Sequence, residues 1–342
     1  MTDKRRKRLF DLLKFTIFLG IGIFFIWWFL LKLDYEQKVA IWNSFMNAKW
    51  GWVAVVVFVS LLSHFVRALR WQLLFKPIGH TPSLRNTFGA VMVTYLANLA
   101  FPRLGEVMRC AMLRTSDNIP LEKSVGTVVT ERLFDTLMFA LIVLLGFLLM
   151  FSSVKDFLYD SLSEKMSSLP TMTGIAAAGV VALVAILVIY KLFHDKLMKF
   201  SLYRKGFDLI QGCISGVKSI LHLGPKSTVL FLIYSVIIYL LYIAGGWLIL
   251  KAFVETQTLG FQTAFVIYLF GSVGMMISQG GLGAYPVLVW QALTLYGISE
   301  PTGLACGWLL WGSQQAIVVV VGLAFLIYFS LLKKEKNGHQ LQ

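Results

Sequence analysis

The sequence predicts an all-α, polytopic integral membrane protein with about six full transmembrane helices and two opposed re-entrant helical hairpins in an inverted repeat. Three observations predict it. Apolar side chains make up 58% of the 342 residues and charged ones 14%, more apolar surface than one soluble core of this length can hide. Charge is gathered into clusters between long apolar runs, the pattern of loops in water and helices in lipid. Two of those runs break before a bilayer is crossed, one at Pro102 and Gly105, the other at Gly280, Gly281, Gly283 and Pro286.

The whole chain, 1–342, reads as one membrane domain. In 1–49, Lys4, Arg5, Arg6, Lys7 and Arg8 precede an apolar run from Phe15 to Leu31, so the amino terminus is expected in the cytoplasm. That run ends in Trp27-Trp28-Phe29 without a small-residue cleavage site and is expected to remain as an anchor. Lys32 to Lys49 reads as a mixed-charge loop.

A first repeat covers 50–152. A span from Trp50 to Phe75 ends in Arg67, Arg70 and Lys76 and returns to the cytoplasm. A re-entrant hairpin follows near 84–115. Its apolar stretch, Thr87 to Ala100, rises about 1.5 Å per residue and falls short of a hydrocarbon core of about 30 Å. Arg85 on one flank, with Arg114 and Lys123 on the other, puts both ends on the cytoplasmic side. The span from Leu121 to Phe151 then crosses outward, with Asp117, Asn118 and Pro120 as cap and first-turn signals.

In 153–226 an acidic loop with Asp156, Asp160 and Glu164 is expected outside, and Thr171 to Phe193 crosses back. Lys191 to Lys226 reads as a basic, amphipathic helix on the cytoplasmic surface. The second repeat, 227–332, runs from a span at Thr228 to Leu250, through a hairpin near 259–297, to a span from Thr302 to Leu332. The tail, 333–342, carries Lys333, Lys334 and Lys336 and is expected inside. A segment between a span ending outside and one that must end inside has to enter and leave from the outside, so the second hairpin opposes the first.

Polar residues in these segments are the candidate substrate contacts. Ser124, Thr127, Glu131 and Asp135 form one helical stripe with Arg132 on its shoulder. Ionisable groups near mid-bilayer are costly unless paired or wet, which makes them functional candidates; the alternative is a salt-bridge network that holds helices together. Asn98, Arg103, Glu106 and Arg109 gather at the first hairpin tip. There a helix amino terminus and guanidinium groups suit a phosphate, while for Arg109 snorkelling to the surface is the competing reading. Arg67, Arg70 and Trp71 read foremost as snorkelling arginines and a belt tryptophan, with substrate contact as the alternative. In the second break Gln279, Tyr285 and Gln291 offer polar contacts.

Several chemistries find no support. Cys110, Cys213 and Cys306 lie far apart, and His64, His80, His194, His222 and His339 are scattered, so neither a disulfide framework nor a metal site is expected. Gly212 to Ser219 lacks the Walker spacing, and there is no G-x-S-x-G or H-E-x-x-H. No cofactor and no enzymatic activity are expected. The net charge of +14 reports orientation in a membrane rather than nucleic-acid binding.

Three motifs carry a family resemblance: R-x-x-R-W-x-L-L at Arg67 to Leu74, N-x-x-x-P-R-x-G-E-x-x-R at Asn98 to Arg109, and E-R-L-x-D at Glu131 to Asp135. Together they resemble the transmembrane domain of lysylphosphatidylglycerol synthases, the multiple peptide resistance factor, and its stand-alone relatives. The resemblance covers nearly the whole chain. It implies a lipid flippase domain whose hairpins face each other around a polar cavity, with Arg103, Glu106, Arg109, Glu131, Arg132 and Asp135 at patterned positions, as are Gly281 and Gly283.

Two departures matter. Many relatives carry a glutamate after the second glycine motif, where Ala284-Tyr285-Pro286 stands here. An aminoacyl-transfer domain is not seen after Leu332, so synthesis of an aminoacyl lipid by this chain alone is not expected. The expected activity is movement of a phosphate-bearing lipid (a phospholipid, an aminoacyl-phospholipid or a polyprenyl-phosphate carrier) between leaflets of a bacterial inner membrane, with both termini cytoplasmic. An intramembrane lipid-modifying enzyme and a scaffold for a separate transferase are the alternatives. The partners expected are membrane lipids; a separate lipid-modifying enzyme and a second copy of the chain are further candidates.

Overall fold

The computed structural model of the chain describes residues 35–101, 103–163 and 223–339. Among them the structure is all-helical, with no strand. The helices are α1 (Tyr35–Met46), α2 (Trp50–Leu73), α3 (Leu84–Ala100), α4 (Leu104–Asp117), α5 (Leu121–Ser163), α6 (Pro225–Leu250), α7 (Phe261–Ile277), α8 (Ala284–Thr294) and α9 (Glu300–His339). Short 3₁₀ turns at Lys76–Ile78 and Gln279–Gly281 follow α2 and α7.

Three described segments are long and apolar enough to cross a membrane: Trp50–Ile78, Pro225–Leu250 and Glu300–Leu332. The expected spans at Phe15 to Leu31 and Thr171 to Phe193, most of the basic segment from Lys191 to Lys226, and Pro102 lie outside the described residues. The expected span from Leu121 to Phe151 is part of the 43-residue helix α5. The stretch read as a loop from Lys32 to Lys49 instead contains α1. Its Glu36, Lys38 and Ala40 are adequate helix formers without a Gly or Pro among them, and the mixed charge concealed that propensity.

The chain divides into two compact units, Met1–Val129 with Leu221–Gln342, and Thr130–Ile220. In the first, α2 packs along α6, α3 pairs with α4, α7 pairs with α8, and α9 packs on α3 and α8. The main apolar core joins Val56 of α2, Ile249 and Leu250 of α6, Ile267 of α7, Val289 and Leu293 of α8, and Leu310 of α9. A second cluster sets Met92 of α3 against Ile317 and Val318 of α9. Of the second unit, residues 130–163 are described, and they continue α5.

Hydrogen bonds identify which helix ends lie together. At one end, the Asp117 carboxylate closing α4 accepts from Ser83 N at 3.0 Å and Asn86 Nδ2 at 2.9 Å, at the start of α3. Tyr328 of α9 donates to Asn86 Oδ1 at 3.2 Å, so the far end of α9 is here too. At the other end, Lys49 N, just before α2, donates to Ala252 O, just after α6, at 2.8 Å. Glu255, between α6 and α7, accepts from Ser299 Oγ at 2.7 Å and Thr302 Oγ1 at 2.9 Å, where α8 gives way to α9. Asp117 therefore holds the start of α3, whose N-cap is Ser83, and Asn118 ends α4 in the left-handed region at φ 55.

Each helix pair thus has its open end at a different end of the unit. Their closed ends touch: Gln279 Nε2 donates to the carbonyls of Asn98, at 2.5 Å, and Leu99, at 3.3 Å. Those carbonyls close α3 and have no partner within a helix that stops there. Gly280, Gly281 and Gly283 take φ of 60, 77 and 75, conformations that a side chain resists, and Pro286 sits in the first turn of α8.

Candidate functional site

The first hairpin is built on a close helix approach. A Cβ at Gly105 would stand 2.1 Å from Thr94 O and 2.8 Å from Asn98 Oδ1, so only hydrogen lets α4 lie this near α3. Asn98 Oδ1 accepts from Gly105 N at 2.8 Å, satisfying a donor at the start of α4, and Asn98 Nδ2 donates to Glu106 Oε1 at 3.4 Å. Asn98 therefore links both arms of its own hairpin and, through its carbonyl, the tip of the other. Trp311 of α9 donates from Nε1 to Gly280 O at 2.7 Å and fixes the second tip.

Arg67, Arg70 and Trp71 are buried, with Arg70 and Trp71 wholly inside. The reading of surface snorkelling and an interfacial belt is overturned for these three. Their face of α2 packs against protein: Arg67 Nη2 donates to Tyr242 OH at 3.1 Å, and Arg70 Nη1 donates to Ser235 Oγ at 3.2 Å, both on α6. Arg70 also lies over the Phe231 ring, 5.3 Å from its centroid. Arg109 of α4 is buried in the same way, with its guanidinium 4.3 Å from the centroid of a Trp71 ring. Trp71 Nε1 donates to Thr127 Oγ1 at 3.0 Å. Snorkelling is excluded for Arg109 as well.

Next to Arg67, the rings of Tyr242 and Tyr268 stack with centroids 6.3 Å apart, and Tyr239 stands edge-on to both. Sequence reasoning missed these hydroxyl partners. Ser235, Tyr239 and Tyr242 fall at i, i+4 and i+7 on α6, a polar stripe in an apolar span that was open to the same periodicity argument used for Ser124 and Thr127.

The remaining predicted residues divide. Arg103 begins α4 in the left-handed region, φ 65, and is exposed; a non-glycine residue held there is strained. Ser124, Thr127 and Glu131 are buried and share a stripe on α5, with Asp135 and Arg132 half-buried; Glu131, Arg132 and Asp135 belong to the second unit. In the second hairpin Gln279 makes the tip contact, Tyr285 is buried beneath Gly271, and Gln291 is exposed.

The electrostatics follow from what the first unit holds between its helix ends. Three guanidinium groups, Arg67, Arg70 and Arg109, lie inside it. The Glu106 carboxylate, in the first turn of α4, accepts from Asn98 Nδ2. A guanidinium is planar, permanently charged and shaped for phosphate or carboxylate oxygens.

Comparison with known proteins agrees with the motifs. The lysylphosphatidylglycerol synthase transmembrane region family matches residues 12–333. The chain is similar to a UPF0104 membrane protein of Methanocaldococcus jannaschii, 26% identical over 129 residues, covering 37% of this chain and 38% of that one. It is also similar to the glycosyltransferase AglD of Haloferax volcanii, 27% identical over 89 residues, covering 26% of this chain and 14% of that one. The alignments thus span well under half the length of either relative. No solved structure matches the chain. The chain is a membrane protein of the lysylphosphatidylglycerol synthase transmembrane region family.

Proposed function

We propose that this protein moves a phosphate-bearing lipid between the leaflets of a cell membrane, the inner membrane in a bacterium. One observation carries the proposal: three guanidinium groups are buried inside a helical bundle whose two hairpins meet tip to tip. In hydrocarbon, helices that stop halfway are tolerated only where protein or a wet cavity satisfies their ends. The lengths of α3 and α7, 17 residues each, correspond to about 25 Å, less than a hydrocarbon core of about 30 Å.

On this reading α3–α4 and α7–α8 are re-entrant hairpins entering from opposite faces, and α2 to α5 and α6 to α9 are the two inverted repeats. The end of the unit bearing Lys76, Arg85, Arg114, Lys123 and Lys226 is cytoplasmic. The opposite end mixes Lys49 and Lys251 with Glu255 and Glu300 and faces outward. Arg67, Arg70 and Arg109 hold the phosphate while the acyl or prenyl chains stay in lipid. Substrates of this class are a phospholipid, an aminoacyl-phospholipid or a polyprenyl phosphate.

The test uses the full chain in vesicles of phosphatidylethanolamine and phosphatidylglycerol with a fluorescent phosphatidylglycerol tracer and a membrane-impermeant quencher. Wild type is expected to move the tracer between leaflets, and Arg67→Gln with Arg109→Gln to lose that movement while keeping the helical content. Equal rates for wild type and the double variant overturn the site. A second reading, chemical modification of the lipid, takes its support from the resemblance to a glycosyltransferase. It predicts a lipid of altered mass in the same vesicles supplied with sugar donor, and the translocation reading predicts none.

A further inference from the structure

The hydroxyl groups that face the buried arginines from α6 continue beyond them. Ser235 accepts from Arg70 and Tyr242 from Arg67, and Tyr239 stands between the two on the same stripe. The Tyr242 ring stacks with that of Tyr268 on α7, and Tyr239 is edge-on to both. Three phenols from two helices thus gather next to one guanidinium. Neither helix brings a charge to them: α6 carries none between Lys226 and Lys251, and α7 none from Phe261 to Ile277.

Depth separates the phenols from the guanidinium groups. The start of α2 and the finish of α6 lie together, joined by Lys49 N and Ala252 O, and α7 starts on that side after the loop through Glu255. From that end Tyr268 lies about 10 Å along α7, Tyr242 about 12 Å and Tyr239 about 17 Å along α6, whereas Arg67 lies about 25 Å and Arg70 about 30 Å along α2. The arginines therefore rise from the half nearer the basic end and the tyrosines from the other half. The bond from Arg67 to Tyr242 joins the two sets.

Tyr242 also faces inward. The apolar outer face of α6 is exposed at Val229, Val236, Leu240 and Trp247, and Tyr242, two residues beyond Leu240, lies about 200° round the helix from it. It is half-buried there. What protein leaves uncovered on Tyr242 is thus on the side of α6 that packs against α2 and α7. Packing alone does not ask for phenols at such positions, because Phe fills the same space without a hydroxyl to satisfy.

We propose that Tyr239, Tyr242 and Tyr268 form a second, neutral subsite that takes the lipid phosphate from Arg67 and passes it on toward the outward end of the protein. This assignment rests on the translocation reading above and divides its path into a loading half and a release half. A guanidinium adds a full countercharge to its hydrogen bonds, whereas a phenol donates an O–H and brings none. Phosphate is therefore held more tightly at the arginines than at the tyrosines. A single site that takes an anion readily out of its headgroup layer holds it too well to let it go, and a second, weaker site beside the first removes that trap. No bond of the lipid forms or breaks, and no net proton moves.

The experiment uses the full chain in the same vesicles, with the mole fraction of fluorescent phosphatidylglycerol varied. Tyr242→Phe and Tyr268→Phe keep the rings and remove the hydroxyls. Each is expected to lower the maximal rate about tenfold, the effect of one hydrogen bond to a charged group, and to leave the half-saturating tracer fraction within about twofold of wild type. A phosphatidylglycerol analogue with a photoreactive diazirine on its headgroup is expected to cross-link wild type at Tyr239, Tyr242 or Tyr268, independently of how any variant folds.

Wild-type maximal rates in both variants overturn the proposal. So does a raised half-saturating fraction at an unchanged maximal rate, which makes the phenols part of loading at Arg67, and so do wild-type cross-links confined to α2 and α4. In these cases translocation itself stands. A wild type that moves no tracer overturns the translocation reading, and this assignment with it.

Discussion

Replacing Gly105 with Ala puts one methyl group where α4 crosses α3. The added carbon would meet Thr94 O at 2.1 Å, Thr94 C at 2.7 Å and Asn98 Oδ1 at 2.8 Å. Two of those three atoms are backbone, so the helices must separate or the hairpin must twist. Overpacking of this kind costs about 1–3 kcal/mol. Separation also stretches the 2.8 Å bond from Gly105 N to Asn98 Oδ1, which adds about 1 kcal/mol. The sum, roughly 3 kcal/mol, corresponds to a fall in Tm on the order of 10 °C for a unit of this size.

Gly126→Ala is the matched control. Its Cβ would find nothing within 4 Å, and in the interior of α5 alanine is about 1 kcal/mol better than glycine. Thermal unfolding in one detergent, followed by helical circular dichroism, compares the two. The reasoning fails if Gly105→Ala unfolds at the same temperature as Gly126→Ala, since α3 and α4 would then not approach as closely as the hairpin requires.

Gln279→Ala removes the donor that satisfies the Asn98 and Leu99 carbonyls across the hairpin tips; a loss of about 1–3 kcal/mol is expected by the same unfolding assay. Trp71→Phe removes the 3.0 Å bond to Thr127 and shrinks the ring beneath Arg109; a cost of about 1–2 kcal/mol is expected, with slower lipid movement. At Glu255, burial pushes the carboxyl up, but hydrogen bonds from the Ser299 hydroxyl, Thr302 and the Ser299 backbone outweigh it and hold the group below the ordinary carboxylate value of 4.5. The stabilisation is therefore complete above that value and lost as pH falls through the lower, folded one. Unfolding curves should show wild type more stable than Glu255→Gln at neutral pH, with the gap closing in acid; a gap independent of pH contradicts the assignment.

Much of the hairpin layout was legible because turn chemistry is local. A break at Pro102 and Gly105 divides a polar-tipped apolar run whatever the rest of the chain does, and within the bounds expected for the first hairpin, near 84–115, the structure has the helix pair Leu84–Ala100 and Leu104–Asp117. Within the bounds near 259–297 it has the helix pair Phe261–Ile277 and Ala284–Thr294. Spacing also put Ser124, Thr127 and Glu131 on one buried stripe.

Azimuth was harder to read. Arg67, Arg70 and Trp71 have the depth of interfacial residues, and depth alone favours snorkelling. Their burial depends on α6, more than 150 residues away in the chain, turning Ser235 and Tyr242 toward them. Asp117 was misassigned for a related reason. A carboxylate before a helix looks like that helix's cap, but the hairpin brings a different helix start, at Ser83, closer.

The central claim is that two hairpins reach each other in the interior of the membrane. It is tested most directly by placing single cysteines at Leu99 and Gly280, in a chain whose Cys110, Cys213 and Cys306 are replaced by serine or alanine, and adding a membrane-impermeant maleimide to each side of sealed vesicles. The account predicts that both cysteines are shielded from each side in the resting protein and that the double variant forms an intramolecular disulfide on oxidation, as expected where a Cβ at Gly280 would come 2.9 Å from Leu99 Cδ2. Rapid labelling of both positions from the aqueous phase, with no cross-link between them, would contradict it.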